Sequence, residues 1–172
     1  MNLSKLSGIK VGGTFLVTCR RPDGGVRWED TADNMVVNVG LQHILNTVFS
    51  GSAQVTTWYV GLMASSPTVA SGNTMASHAG WTEFANYDEA GHQEYVEVRS
   101  NQQLTNSASK ATFTVSVDSS VIGGAFLTSA SAKSVTTGTL MCGAAFTGGN
   151  KSADDDDTLE VTYTFTAGDD GA

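Results

Sequence analysis

The feature that most constrains this chain is the two-residue rhythm of its last third, where Leu159, Val161, Tyr163 and Phe165 alternate with Glu160, Thr162 and Thr164. Phe113, Val115 and Val117 alternate with Thr114 and Ser116 in the same way. A period of two sends successive side chains to opposite faces of an extended backbone, so each segment buries one face and shows hydroxyls on the other. That is how an antiparallel sheet meets water. Strand signals at residues 95–99, 111–117, 121–128, 139–146 and 158–166 are separated by Gly, Ser and Thr turns. The fold class expected is mainly β: an antiparallel β-sandwich or jelly-roll-like domain. Gly123, Gly124 and Gly143 fall inside strands, where glycine marks a bulge or the close approach of another backbone. Only 15% of residues are charged, whereas 18 Ser, 21 Thr and 19 Gly make up a third of the chain. Hydroxyls rather than charges therefore keep its surface wet.

The N-terminal part reads as a hairpin. Residues 14–20 and 26–30 place Phe15, Val17, Cys19, Val26 and Trp28 in alternation around Arg21-Pro22-Asp23-Gly24-Gly25. Pro presets the first turn angle and glycine accepts positive φ. Eight extended residues span roughly 26 Å, more than the roughly 16 Å radius of gyration of a globule of this length, so the hairpin is expected to reach beyond the body as an arm. The division expected is residues 1–33 as an N-terminal segment with this β-hairpin arm and residues 34–172 as the sandwich body. An isolated hairpin is marginal in water, and its apolar face must rest on the domain, a second copy or a partner.

One amphipathic helix is expected near residues 38–50, because Leu41, Ile44, Leu45, Val48 and Phe49 follow helical spacing, with Asn38 as N-cap and Gly51 as stop. His43 lies on its polar side. Alternation resumes at Trp58, Val60 and Leu62, giving a central strand. Residues 65–95 then form a long decorated connection with a short helical turn at 73–78. Its Trp81, Phe84, Tyr87 and Tyr95 either close the core or touch a neighbouring subunit.

The chemistry of whole enzyme classes is missing. His43, His78 and His92 fall outside any G-x-S-x-G, HExxH or CxxC context, so no catalytic residue is assigned. No cofactor is expected. Cys19 and Cys142 lack metal-ligand spacing and read as free core thiols. Asp88, Glu89, His92 and Glu94 form an acidic loop, and Asp154, Asp155, Asp156 and Asp157 are the sharpest charge feature. The latter run is a weak calcium candidate without the alternating ligands of a calcium loop, and reads first as a solvated turn. All of the net charge of −8 arises after residue 86, which argues against nucleic acid as a partner and leaves a neutral half free to approach another protein. No apolar run is long enough to span a membrane, and residues 1–10 lack the apolar stretch of a secretion signal.

Several segments taken together carry a resemblance: residues 34–49 (NMVVNVGLQHILNTVF), 56–63 (TTWYVGLM), 73–84 (NTMASHAGWTEF), 124–140 (GAFLTSASAKSVTTGTL) and 159–165 (LEVTYTF). In this order, across roughly residues 14–166, the chain resembles small proteins encoded by tailed bacteriophages and prophages near their capsid genes. The resemblance implies a non-enzymatic virion protein assembled in the host cytoplasm, a decoration or cement protein on the capsid exterior, with tail or fibre placement as the alternative. Its partners would be the major capsid protein and further copies of itself, as a dimer or trimer.

On this expectation the hairpin is the grip, with Phe15, Val17 and Trp28 as apolar anchors and Arg20, Arg21 and Arg27 meeting acidic shell surface at the rim. Trp81, Phe84 and Tyr87 are the candidate subunit contacts. The rival expectation is an adhesin-type module that recognises host-surface glycan through Trp81, Tyr87 and Tyr95 as aromatic platforms.

Overall fold

The computed structural model describes residues 8–169. The stretch read as lacking a secretion signal lies mostly outside them. Two antiparallel sheets and one helix account for the regular structure. Strands β1 (Ile9–Arg20) and β2 (Val26–Asp33) form the hairpin, followed by β3 (Met35–Val36) and helix α1 (Asn38–Phe49). Next come β4 (Tyr59–Ala64), β5 (Glu83–Phe84), β6 (Gln93–Glu94), β7 (Val98–Ser100) and β8 (Gln103–Thr105). The chain continues through β9 (Ala111–Thr114), β10 (Ser120–Thr128), β11 (Leu140–Ala145), β12 (Lys151–Ala153) and β13 (Thr158–Asp169). One sheet runs β2-β1-β13-β8-β7, with β9 also on β13. The other runs β3-β11-β10-β4-β5, with β12 on β10 and β6 on β4.

The expected sandwich is present. Phe15, Val17, Cys19, Leu159, Val161 and Tyr163 project from the first sheet and are fully buried against Val60, Leu62, Ala125 and Cys142 of the second. The second sheet is also covered on its outer side. Met75 and Trp81, from the connection after β4, pack there with Val37, Met63, Phe126 and Leu140. Burial on both sides explains why β10 reads as a nearly continuous apolar run. It also explains the glycines. The register of β10 against β4 shifts between Ile122 and Gly124, and a Cβ on Gly61 would lie 2.2 Å from the Phe126 ring. Instead of the expected helical turn at 73–78, the chain makes a tight reversal closed by a Thr74–Ser77 bridge.

The hairpin is not an arm. Its tip turns as expected, with Gly24 at φ 84°, but β1 pairs with β13 along its whole length, from Ile9 opposite Asp169 to Arg20 opposite Thr158. The division at residue 33 is therefore corrected: residues 9–33 supply two of the strands that make the sandwich. Strand length alone misleads here, because a long strand can find an equally long partner far along the chain and lie flat on the core.

Candidate functional site

The same burial removes the expected grip. Phe15 and Val17 have no exposed surface, and Phe15 stacks on Tyr163 with ring centroids 4.2 Å apart. Half-buried Trp28 packs on Phe146 and donates its Nε1–H to the Ser152 carbonyl at 2.7 Å. The arginines have partners within the chain, Arg21 at the exposed hairpin tip. Arg20 pairs with Glu160 at 3.3 Å, Arg21 donates to the Val26 carbonyl, and Arg27 pairs with both Asp154 and Asp157. Phe15 and Val17 are thereby corrected from shell anchors to core residues, while Arg21 stays exposed and Arg20, Arg27 and Trp28 partly so.

The candidate subunit contacts meet a similar fate. Trp81, Phe84, Tyr87 and Tyr95 are each at most 4% exposed. Trp81 donates to Asn73 Oδ1 at 3.1 Å and leans on Phe126, while Tyr87 sits edge-on to Phe113 beneath Lys133 Nζ. They close the core, and no aromatic platform of Trp81, Tyr87 and Tyr95 is offered to a sugar.

The acidic features are tied down by hydrogen bonds. Asp157 is 1% exposed and accepts from the Asp154 amide at 2.9 Å, while Asp154 accepts from the Ser119 amide at 3.1 Å. The side-chain hydrogen bond from Arg27 holds the Asp154 carboxyl below the usual carboxylate range. Asp155 and Asp156 are exposed, and the Asp155 amide donates to Asp118. In the other acidic loop, Glu89 accepts from the amide and hydroxyl of Thr114, whereas buried His92 lies between the Ala130 carbonyl at 2.7 Å and Glu83 at 3.0 Å. Among the described residues no three His, Cys, Asp or Glu side chains converge where a metal ion could be held.

Both cysteines are free and buried, as expected. Burial pushes the Cys19 thiol up to about 12 and the Cys142 thiol up to about 11. Neither is a nucleophile at neutral pH.

What the fold leaves open is α1. The helix enters from buried Val37, whose amide donates to the Met141 carbonyl at 3.1 Å, and Asn38 is its first residue rather than its cap. Gly51, at φ 67°, follows its end as expected. The helix rests on β11 through Gly40, its one buried residue; a Cβ there would come within 2.3 Å of the Met141 carbonyl oxygen. Contact through Gly40 turns the apolar stripe away from the sheet, because Leu41, Leu45 and Phe49 stand roughly a quarter to a half of a turn from Gly40 on the helical wheel. Leu41 is 38%, Leu45 56%, Val48 64% and Phe49 76% exposed.

A groove of about 350 Å³ opens beside this stripe, between α1 and the end of the first sheet. Ile44 and Val48 of α1, Trp58, and Leu104 and Phe165 of β8 and β13 line it. His43 meets Trp58 edge-on at 5.4 Å. The groove exists because β13 continues past Tyr163, its last fully buried residue, leaving Phe165 half-buried where the facing sheet no longer covers it. Stripe and groove meet at Val48, and His43, Thr47 and Gln54 add polar edges to the groove.

Sequence periodicity located the stripe but not the side it faces. The missed signal is charge: residues 34–82 contain no Asp, Glu, Lys or Arg. A surface helix covering a core normally sets a charged face against water, and α1 offers only Asn, Gln, His and Thr there. Comparison of the chain with protein-family models, curated proteins and solved structures finds no match.

Proposed function

We propose that this chain is a non-enzymatic structural protein of a bacteriophage virion, a decoration or cement protein on the outer capsid, that works by surface contact alone. The observation carrying the reading is the uncovered apolar face of α1 with its adjoining groove. Contiguous apolar patches beyond a few hundred Å² mark sites of association in folded proteins. Around that face stands a body whose polar groups serve the fold: Arg27, Asp30, Glu83, His92 and Asp157 are all engaged inside the protein. A decoration protein needs such a body, together with an adhesive face repeated in many copies so that weak contacts add. The resemblance of residues 14–166 to phage proteins encoded beside capsid genes supplies the setting, with the major capsid protein and further copies as neighbours.

The test is stoichiometry on purified particles of the encoding phage. Copies in fixed proportion to the shell protein are the expected result. A dozen or fewer copies move the protein to the tail, and its absence from particles refutes a virion role. Particle binding by Leu45→Glu is expected to fall relative to the wild type. Equal binding would detach α1 from the function.

A further inference from the structure

Resting on the reading of α1 as the adhesive face, we propose that a second copy of this chain covers it, joined across a two-fold axis, and that the pair rather than the single chain is the form that meets the shell. Leu41, Leu45, Val48 and Phe49 stand 38, 56, 64 and 76% exposed. With aromatic side chains presenting roughly 150–250 Å² and aliphatic ones somewhat less, these four leave about 450 Å² uncovered. A standard interface takes about 800 Å² from each partner. The stripe supplies more than half of that, and the half-buried groove lining of Ile44, Trp58, Leu104 and Phe165 adds to it.

The shape of the face is self-complementary in kind. Phe49 is the most exposed side chain of the stripe, and the groove of about 350 Å³ opens on the same helix with Val48 in its lining. A two-fold axis between stripe and groove would set each copy's Phe49 against the other's groove, which is the isologous arrangement.

Charge permits that occupant. A chain with a net charge of −8 repels its own copies at long range, so self-association requires a face where that repulsion is weakest. α1 carries no Asp, Glu, Lys or Arg, and neither does any other residue from 34 to 82. An acidic or basic partner finds no complementary ion on this helix. An identical face meets it without placing like charges together.

Sedimentation velocity of the full chain tests this. Across about 1 to 200 µM, the mass is expected to rise from the 17.9 kDa monomer toward the dimer, with a Kd on the order of micromolar, as suits an interface at the small end of the range. Leu45→Glu and Phe49→Glu, at exposed positions, are expected to stay monomeric with melting temperatures within a degree or two of the dilute wild type. Hydrogen exchange should show protection of α1 amides that grows with concentration in the wild type alone. A monomer at every concentration, a dimer indifferent to both glutamates, or an assembly larger than a dimer overturns the proposal. If the wild type stays monomeric yet binds phage heads and Leu45→Glu does not, the second copy is wrong and the attachment surface stands. If the dimer forms through α1 but the protein is absent from particles, the virion reading fails and this one holds.

Discussion

Replacing Gly40 by Ala tests how α1 is held. In an isolated helix the change favours folding by about 0.8–1.0 kcal/mol, because glycine has the larger backbone entropy to lose. Here the new methyl would lie 2.3 Å from the Met141 carbonyl oxygen and 3.0 Å from its carbonyl carbon, where ordinary contact begins at 3.4 Å. Met141 is held in β11, so the obstacle is backbone that cannot rotate aside. The helix must lift by about 1 Å, and overpacking of this kind costs about 1–3 kcal/mol. Lifting also stretches the bond from the Val37 amide to the same carbonyl, worth about 1 kcal/mol when intact. The balance is a net loss of about 1–3 kcal/mol. For a chain of this size that corresponds to about 2–12 °C in melting temperature. Scanning calorimetry and urea titration read it directly, and Gly72→Ala, with open space around its Cβ, serves as a control expected to change little. A Gly40→Ala protein as stable as the wild type, or more so, would refute the account of why the apolar stripe points outward.

Phe15→Ala is expected to cost about 3–5 kcal/mol, since it empties a site stacked on Tyr163 inside the core; a loss under about 1 kcal/mol would restore the hairpin as a detached arm. Thiol titration at pH 8 should find Cys19 and Cys142 unreactive in the native protein and both reactive once it is unfolded; fast native labelling would contradict their burial. The hydrogen bond from Lys110 lowers the Glu160 carboxyl and that from Arg27 lowers Asp154, so each is more acidic folded than unfolded. Their stabilisation is complete above the unfolded value near 4 and is lost as pH falls through the folded value, so the melting temperature should drop below about pH 4, and less steeply in Glu160→Gln. An equal acid slope in that variant would remove Glu160 from the explanation.

Much of the fold was legible because alternation is a local property. Leu159 to Phe165 and Phe113 to Val117 announce strands without reference to anything distant, and Gly123-Gly124 marked the register shift found in β10. Partnership across the chain is another matter. No local signal says that β1 lies against β13, so Phe15 and Trp28 looked available when one was buried and the other half-buried. Trp81 and Tyr87 sit in a segment without rhythm, yet the segment folds over a sheet that needs cover on both sides. The strands β3, β8 and β12 are of two or three residues, too short for any period to show. For α1 the spacing grouped Leu41, Ile44, Leu45, Val48 and Phe49, yet Ile44 packs on the core while the other four stay exposed, and which flank meets the sheet was decided by a single small residue, Gly40.

The pairing of β1 with β13 also sets a timetable. During synthesis the first hairpin leaves the ribosome long before its main neighbour exists, and until residues 158–169 emerge Phe15, Val17 and Cys19 have no sheet mate on that side. Contacts separated by so much chain form slowly and late. A molecule cut short before β13 would lose the middle of one whole layer rather than a dispensable tail. Only chains that extend through β13 can close the sandwich, so any assembly that accepts the closed body alone would exclude copies interrupted before it without a separate check.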